Sequence, residues 1–199
     1  RSSTGYPIGQ IFGLQDDGLF TDADFVDGEL IEGIPEHTFS KVRPGDIKYK
    51  DVNKDGVIND LDRSAIGGTW NPQIVYGFGL NFQYKNFDFG FFFQGNAKTY
   101  RLIGGSNFIP GSGDGSMGNI LSNYQDHWTV DNPDQNAFWP RLSSSRNANN
   151  TQESTWWLHD MSMLRLKNVE LGYNFSQKKL LPAFIQCARL FVTASYLLQ

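Results

Sequence analysis

Several features that mark common protein classes are scarce in this sequence of 199 residues. It has one cysteine, Cys187, so no disulfide framework can form within the chain. No run of about 18 apolar residues occurs, so the sequence predicts no transmembrane helix. Charged residues make up 19% of the chain, the net charge is −4, and no basic run exists. Nucleic acid is therefore not an expected partner.

Catalytic signatures are also missing. The three histidines, His37, His127 and His159, do not have metal-ligand spacing to one another. No nucleophile elbow, phosphate loop or paired-carboxylate motif occurs, and Cys187 is better explained as a residue that faces a barrel lumen or a neighbouring strand than as a nucleophile. We therefore expect that the chain is not an enzyme.

Aromatic residues are abundant, at 15% of the chain with 16 phenylalanines, and many alternate with small or polar residues. Residues 74–84 and 87–96 both show this period of two, which predicts two antiparallel strands. A two-residue turn at Lys85 and Asn86 would join them. The large residues then fall on one face when they pair as Tyr84–Phe87, Phe82–Phe89, Leu80–Phe91 and Phe78–Phe93, with Phe92 as the exception.

Two more strands are predicted, at residues 161–175 and 188–198. In the first, Arg165 and Lys167 are predicted on the apolar side near the strand start, where they could reach lipid head groups. In the second, Leu190, Val192, Ala194, Tyr196 and Leu198 are predicted to share one face.

Alternation alone leaves open what covers the apolar face. A soluble sandwich would bury it against a second sheet, whereas a membrane β-barrel would turn it toward lipid. A tilted strand needs about 10 residues to cross a membrane, which matches the length of the predicted strands. The short turn at residues 85–86 lies at one end of the hairpin, and the long segments 16–73 and 97–160 lie at the other, which is typical of such barrels.

The most specific motif is DVNKDGVINDLD at residues 51–62. A calcium loop of the EF-hand type takes oxygen ligands from positions 1, 3, 5, 7, 9 and 12 and needs glycine at position 6, where Gly56 stands. Ile58 would anchor the loop. The predicted ligands are Asp51, Asn53, Asp55, the carbonyl of Val57, Asn59 and Asp62. Prolines and glycines flank the loop instead of helices, so calcium would pin a long loop over residues 44–73. A metal-free Asx-rich turn is the alternative.

Four tryptophans of the segment 97–160 are candidates for substrate binding, since indole rings can stack on sugars. The alternative is that they pack the loop or lie in the aromatic girdle at the membrane interface. These residues are Trp128, Trp139, Trp156 and Trp157.

Several stretches, in order along nearly the whole chain, resemble one family. They are YPIG at 6–9, DGLF at 17–20, PGDIKY at 44–49 with the acidic loop after it, FDFGFFFQG at 87–95, PRL at 140–142, LRLKNVELGYNF at 164–175 and RLFVTA at 189–194. Together they resemble the C-terminal part of SusC/RagA-type TonB-dependent transporters, which are outer-membrane proteins of the Bacteroidota.

This resemblance implies an all-β fold, with antiparallel strands taken from a transmembrane barrel of about 22 strands. It also implies a SusD-like surface lipoprotein as partner, energy supplied through TonB, and import of glycans, oligosaccharides or peptides. The calcium loop and the segment 97–160 would be extracellular, and the turns at 85–86 and 176–186 periplasmic. The plug domain is absent from this sequence. The chain also starts without methionine or a signal peptide and stops within a predicted strand, so we expect a fragment of a longer protein.

The alternative function is a soluble, calcium-stabilised β-domain such as a carbohydrate-binding module. Such a module would have to bury the phenylalanine-rich face against a second sheet, and the sequence offers too few matching strands for one.

Overall fold

The computed structural model describes residues 4–105, 122–176 and 187–198, and these residues form strands and short 3-10 helices. No helix among them is long and apolar enough to span a membrane. The chain divides into two compact units, one of residues 1–70 and 100–159 and the other of residues 71–99 and 160–199.

The strands are β1 Gln10–Gly13, β2 Asp16–Leu19, β3 Phe25–Val26, β4 Glu29–Leu30, β5 Glu36–His37, β6 Ile47–Tyr49, β7 Val57–Ile58, β8 Ser64–Thr69, β9 Ile74–Tyr84, β10 Phe87–Ala97, β11 Tyr100–Leu102, β12 Leu158–Asp160, β13 Met163–Ser176 and β14 Cys187–Leu198. The 3-10 helices are Asp22–Asp24, Asp60–Asp62, Ser122–Gln125 and Thr155–Trp157.

The second unit is a four-stranded antiparallel sheet in the order β14-β13-β10-β9. The four strands predicted from alternation are therefore confirmed, within two residues at each end. All four predicted cross-strand pairs of the β9–β10 hairpin are confirmed as well. Lys85 has a φ of 54°, which is the left-handed conformation that two-residue hairpin turns need at their first position.

Phe92, the exception to the alternation, lies on the face of the small residues because two glycines make room for it. A Cβ added at Gly77 would come within 2.7 Å of the Phe92 ring, and one added at Gly79 within 3.0 Å. The ring therefore covers the backbone of β9, and larger residues at the two glycine positions would displace it.

A β-bulge in β13 corrects the predicted position of Arg165. Phe92 pairs with Asn168 but Phe93 pairs with Leu166, so Lys167 is an extra residue in β13. Because of this extra residue, the side chains that precede the bulge switch faces relative to the alternation after it. Leu164 and Leu166 therefore continue the apolar face. Arg165 pairs with Gln94 and lies on the polar face, so the prediction that it points to the apolar side was wrong.

The last predicted strand is also irregular near its end. The pairing of β13 with β14 shifts between Leu166 and Asn168, and Tyr196 has a φ of 59° at this point. The Tyr196 ring centroid lies 5.0 Å from the guanidinium carbon of Arg165. The Tyr196 side chain therefore lies beside Arg165 and departs from the alternation predicted for this strand.

The apolar face of the sheet is exposed along its length. Many of the large side chains there keep 40% or more of their surface accessible, from Phe89 at 40% to Tyr84 at 72%, whereas Phe91 and Phe93 are half-buried. Phe78, Leu80, Phe82, Leu171 and Leu190 fall between these values. Contiguous apolar surface of this size marks a face that another apolar phase or partner covers.

The first unit is built from five two-stranded sheets, pairing β1 with β8, β2 with β6, β3 with β4, β11 with β12, and β5 with β7 in parallel. Within β2 the pairing with β6 is irregular, and Gly18 has a φ of 83°. Thr21 and Asp24 form a capping box around the 3-10 helix Asp22–Asp24.

A single aromatic-rich core holds the first unit together. It joins residues of β2, β6 and β7 to residues of the segment predicted as a long loop, 97–160. The core residues are Leu14, Leu19, Ile47, Tyr49, Ile58, Tyr124, Trp128, Ala137, Trp139 and Trp157. The described part of that segment is thus folded and not an open loop. Residues 106–121, and nearly all of the predicted turn at 176–186, lie outside the described residues.

Candidate functional site

The acidic loop at residues 51–62 closes around its own backbone. The carboxylate of Asp51 accepts hydrogen bonds from the backbone N–H groups of Lys54 and Gly56 at 2.6 and 2.7 Å. Asn53 accepts from the N–H of Asp55 at 3.0 Å, and Asp55 accepts from that of Val57 at 2.9 Å. These are successive Asx turns, in which short polar side chains fold the chain back on itself.

Two residues of the loop have positive φ angles, Lys54 at 62° and Gly56 at 84°. Nothing lies within 4 Å of a Cβ added at Gly56, so the backbone angle, and not crowding, favours glycine there. This conformation places the side chains of Asp51, Asn53 and Asp55, on alternate residues, along one tight turn of backbone.

Asp62 joins the end of the loop to its beginning. Its side chain is fully buried and accepts from the N–H of Val52 at 2.9 Å and from the N–H of Asn59 at 2.9 Å. Asn59 accepts in turn from the N–H of Leu61 at 2.7 Å and caps the 3-10 helix Asp60–Asp62. Asp62, the shorter substitute for glutamate at position 12, thus reaches the loop interior.

Ile58 anchors the loop in the core, as its position predicted. It is fully buried, and its carbonyl oxygen accepts from the N–H and the hydroxyl of Thr38, at 3.2 and 2.8 Å. β7 pairs in parallel with β5, which places Ile58 opposite His37. Buried residues therefore hold the loop in place, while residues 52–56 are exposed to solvent.

The donor types of this loop suit calcium, which prefers carboxylate, amide and carbonyl oxygens. Its carboxylates do not converge, however. No group of three or more histidine, cysteine, aspartate or glutamate side chains is arranged to hold a metal within the described part of the chain. The loop oxygens are instead directed at backbone N–H groups of the loop itself.

His37 is a buried neutral histidine beside the loop. Its Nε2 accepts from the backbone N–H of Tyr49 at 3.1 Å, and its Nδ1 lies 3.1 Å from the carbonyl oxygen of Pro35. A ring that accepts at Nε2 must carry its proton on Nδ1. Burial lowers the pKa of His37 from 6.5 to about 4, so the ring is uncharged at neutral pH.

Three of the four tryptophans proposed for substrate stacking belong to the core. Trp128, Trp139 and Trp157 are 3%, 0% and 2% exposed. Trp139 contacts Tyr124 edge-on at 4.9 Å and packs against Trp157 at 5.6 Å between ring centroids. This burial favours loop packing over sugar stacking for these three, and Trp156 keeps a half-buried ring.

Asp46 is a highly connected buried residue of the first unit that the sequence did not reveal. Its fully buried carboxylate accepts two hydrogen bonds from the Arg141 guanidinium at 3.1 and 3.2 Å. Asn147 and Asn150 donate to it at 2.9 Å each, and the backbone N–H of Arg43 donates at 2.8 Å. Asp46 and Arg141 lie in the PGDIKY and PRL motifs noted above. Their spacing in the sequence does not by itself show that the two side chains form an ion pair.

Gly45 lies directly before this carboxylate and lets Trp128 pack closely. Its φ is 84°, and a Cβ added there would overlap the Trp128 indole. Its carbonyl oxygen accepts from the N–H of Arg141 at 2.7 Å. Asp46 and Gly45 together tie residues 43–49 to residues 141–150.

The polar face of the sheet carries a second ionic network. The Arg189 guanidinium bridges the carboxylates of Asp88 and Glu170, and Asn174 donates to Asp88 at 3.0 Å. These residues come from three neighbouring strands, β14, β10 and β13. The sheet thus has one apolar face and one polar, ion-paired face.

Comparison with known proteins decides between the alternatives for this sheet. No family model matches the chain. TonB-dependent receptor P26 of Formosa agariphila is 30% identical over 158 residues, which are 77% of this chain and 15% of the relative. TonB-dependent receptor P3 of the same organism is 28% identical over 199 residues, which are 98% of this chain and 18% of the relative.

The chain belongs to the TonB-dependent receptors. It spans less than a fifth of the length of these relatives, as their coverage of 15% and 18% shows. Because TonB-dependent receptors are outer-membrane proteins, the outer membrane is its location.

Part of a solved outer-membrane importer has the same fold as this receptor segment. The RagAB peptide importer matches it in the "open-open" state with a TM-score of 0.61, 20% identity and coverage of 95% of this chain and 18% of that one. The "closed-closed" state matches equally, with 19% of that chain covered. The sheet of this TonB-dependent receptor therefore resembles a part of an outer-membrane barrel wall.

Proposed function

We propose that this chain is part of a SusC/RagA-type importer that carries nutrients across the outer membrane, with energy supplied through TonB. The observation that supports this most directly is the exposed apolar face of the sheet in a chain related to TonB-dependent receptors. In a barrel wall this face contacts lipid, and the face with Arg189, Asp88 and Glu170 lines the lumen.

Strand length agrees with a barrel wall. β9 and β10 have 11 residues each. At about 3.3 Å per residue and a tilt of about 40°, such a strand rises about 28 Å, which matches the apolar band of about 25 Å in outer-membrane barrels. The proposal includes a complete barrel of about 22 strands, as large transporters of this class have.

The chain connections support an extracellular position for the first unit. Ile74, Ala97 and Met163 lie at one end of the sheet, because Ala97 pairs with Ile74 and Asn96 with Met163. The long segments leave the sheet at this end, and the turn at Lys85 lies at the other. Outer-membrane barrels have long extracellular loops and short periplasmic turns.

The nutrient is a peptide or an oligosaccharide, and a SusD-like surface lipoprotein binds the extracellular side. The solved RagAB importer, which this chain resembles in fold, is a peptide importer. A gene deletion that abolishes growth on one nutrient class, restored by the intact gene, would support import and name the class. Unchanged growth and uptake on peptides and oligosaccharides alike would contradict it.

We also propose that the loop of residues 51–62 binds calcium. Asp51, Asn53, Asp55, the carbonyl of Val57, Asn59 through a water molecule, and Asp62 would hold the ion. Bound calcium would neutralise the loop carboxylates and order the exposed residues 52–56. The ion has a structural role in this proposal, since the buried Ile58 and Asp62 already fix both ends of the turn.

The variant Asp55→Ala tests the calcium site. We expect protease cleavage within residues 45–70 to increase in this variant without loss of the barrel, and a chelator to increase cleavage in the wild type only. Asp60→Ala is the matched control, because Asp60 is exposed and occupies a position that donates no ligand. Equal cleavage of wild type and Asp55→Ala, with and without chelator, would remove the calcium role.

A further inference from the structure

The first unit contains a cationic cleft that the proposed function does not use. Its volume is about 440 Å³, and its walls are Ser40, Lys41 and Arg43 on one side and residues 141–147 on the other. Four cations line it, Lys41, Arg43, Arg141 and Arg146, together with the serines at 143–145. No carboxylate lines it among the described residues, although the chain as a whole has 21 acidic and 17 basic residues.

The four cations differ in how far their charge is already balanced. Arg141 is paired with the buried Asp46, and Lys41 forms an exposed pair with Glu29 at 2.6 Å. Arg43 and Arg146 are exposed and form no ion pair within the ranges that the structure describes. The cleft therefore presents two guanidinium groups without counter-charge, next to a third whose two bonds to Asp46 leave three of its N–H donors.

Partly buried hydrogen bonds hold the two walls in place. The Arg43 N–H and the Asn147 side chain both donate to Asp46, at 2.8 and 2.9 Å. The Ser40 hydroxyl donates to the Asn147 side-chain oxygen at 3.0 Å and so crosses directly from one wall to the other. A cleft whose walls are already ordered loses little conformational entropy when a ligand binds.

Guanidinium groups and hydroxyls are the donors that match a planar oxyanion, which they can bind through two parallel hydrogen bonds. We propose that this cleft binds a carboxylate group of the nutrient. That the ligand is a nutrient rests on the proposed importer function; that the cleft binds a carboxylate does not. Both proposed nutrient classes can carry the group, as a uronic acid in an oligosaccharide or as an acidic side chain or C-terminus in a peptide.

The test measures binding to the intact receptor, extracted in detergent from outer membranes. Four probes are titrated by calorimetry: a glucuronate-containing disaccharide and its glucose counterpart, and a glutamate-containing tripeptide and its glutamine counterpart with an amidated C-terminus. The variant is Arg43→Gln with Arg146→Gln. The control is Lys50→Gln with Arg101→Gln, which removes two charges of the same unit outside the cleft.

We expect one acidic probe to bind more tightly than its neutral counterpart, and the cleft variant to weaken that binding roughly tenfold for each guanidinium removed. The control should leave it within about twofold. Arg43→Lys with Arg146→Lys should recover part of the affinity, because charge returns without the paired donors. The acidic probe that binds shows whether the nutrient is an oligosaccharide or a peptide.

Equal binding of acidic and neutral probes, or equal loss in the cleft variant and the control, would overturn the inference. Heat-modifiable migration of each variant shows that its barrel has folded, so loss of binding is not loss of fold. Cleft-dependent binding in a receptor whose deletion leaves uptake unchanged would support the cleft and contradict the importer.

Discussion

Asp46 should be the most sensitive polar position of the first unit. In Asp46→Asn the side chain keeps its shape but loses its charge and one of its two acceptor oxygens. In the wild type, Oδ2 accepts from Arg141 and from the Arg43 N–H, and Oδ1 accepts from Arg141, Asn147 and Asn150. Whichever oxygen the amide nitrogen replaces, at least two donors lose their acceptor.

The size of the effect follows from this count. A buried donor without an acceptor costs about 1–3 kcal/mol, and breaking a buried ion pair costs about 3–5 kcal/mol. The two estimates describe overlapping losses, and the Arg141 side chain is 25% exposed, so water recovers part of its solvation. We expect Asp46→Asn to reduce the free energy of local unfolding by about 3 kcal/mol, which corresponds to an opening equilibrium on the order of 100-fold larger.

Hydrogen exchange measured by mass spectrometry on the detergent-extracted receptor can detect this change. Peptides that cover residues 40–50 and 141–152 should exchange faster by that factor in Asp46→Asn. Asp17→Asn is the matched control, because Asp17 forms an ion pair with Lys50 at 3.6 Å in which both side chains are about half exposed. Surface pairs of this kind contribute about 0–1 kcal/mol, so the control should exchange almost as the wild type does.

The double variant Asp46→Asn with Arg141→Gln separates the ion pair from the rest of the network. Removing both charges leaves no uncompensated guanidinium, so the double variant should be less destabilised than the sum of the single variants. Equal exchange in Asp46→Asn and Asp17→Asn would refute the reasoning, since the buried network would then contribute no more than a surface pair.

Two further predictions concern pH and the lipid-facing surface. Because the pKa of His37 is about 4 in the folded protein and 6.5 when exposed, the unfolded chain binds more protons between these values. Peptides over residues 36–50 should lose up to about 3 kcal/mol of protection as pH falls from 6.5 to 4, and His37→Gln should flatten this dependence; an unchanged slope would contradict it. Leu80→Arg should cost about 2–4 kcal/mol of barrel stability, whereas Asn81→Arg on the polar face should cost little; equal heat-modifiability of the two variants would argue against a lipid-facing Leu80.

The sheet could be predicted from sequence because its signal is local. Alternation and a two-residue turn set the β9–β10 register without knowledge of any other strand. The β13 bulge carried a local signal too, since its apolar residues change from even positions at Leu164 and Leu166 to odd positions at Val169 and Leu171. A single parity over the whole strand is the assumption that misplaced Arg165.

The first unit could not be predicted in this way because its contacts are distant in sequence. Its strands have two to six residues, too few for a period to be read. Asp46 is 95 residues from Arg141, 101 from Asn147 and 104 from Asn150. A segment rich in glycine, serine and asparagine looked like a loop, although its tryptophans complete a core with residues of the N-terminal part.

The proposed calcium loop and the proposed carboxylate cleft adjoin the same short strand, yet they should act independently. Asp46 precedes β6 and Asp51 follows it, so this strand is one route by which disorder in the loop could reach the cleft. β6 is held from elsewhere, however: Asn150 accepts from the Ile47 N–H at 2.9 Å, and His37 accepts from the Tyr49 N–H at 3.1 Å. Ile47 and Tyr49 of β6 are buried, at 0% and 2% exposure. A chelator should therefore increase cleavage of the loop and leave carboxylate affinity unchanged; a parallel loss of affinity would show that the cleft depends on the metal.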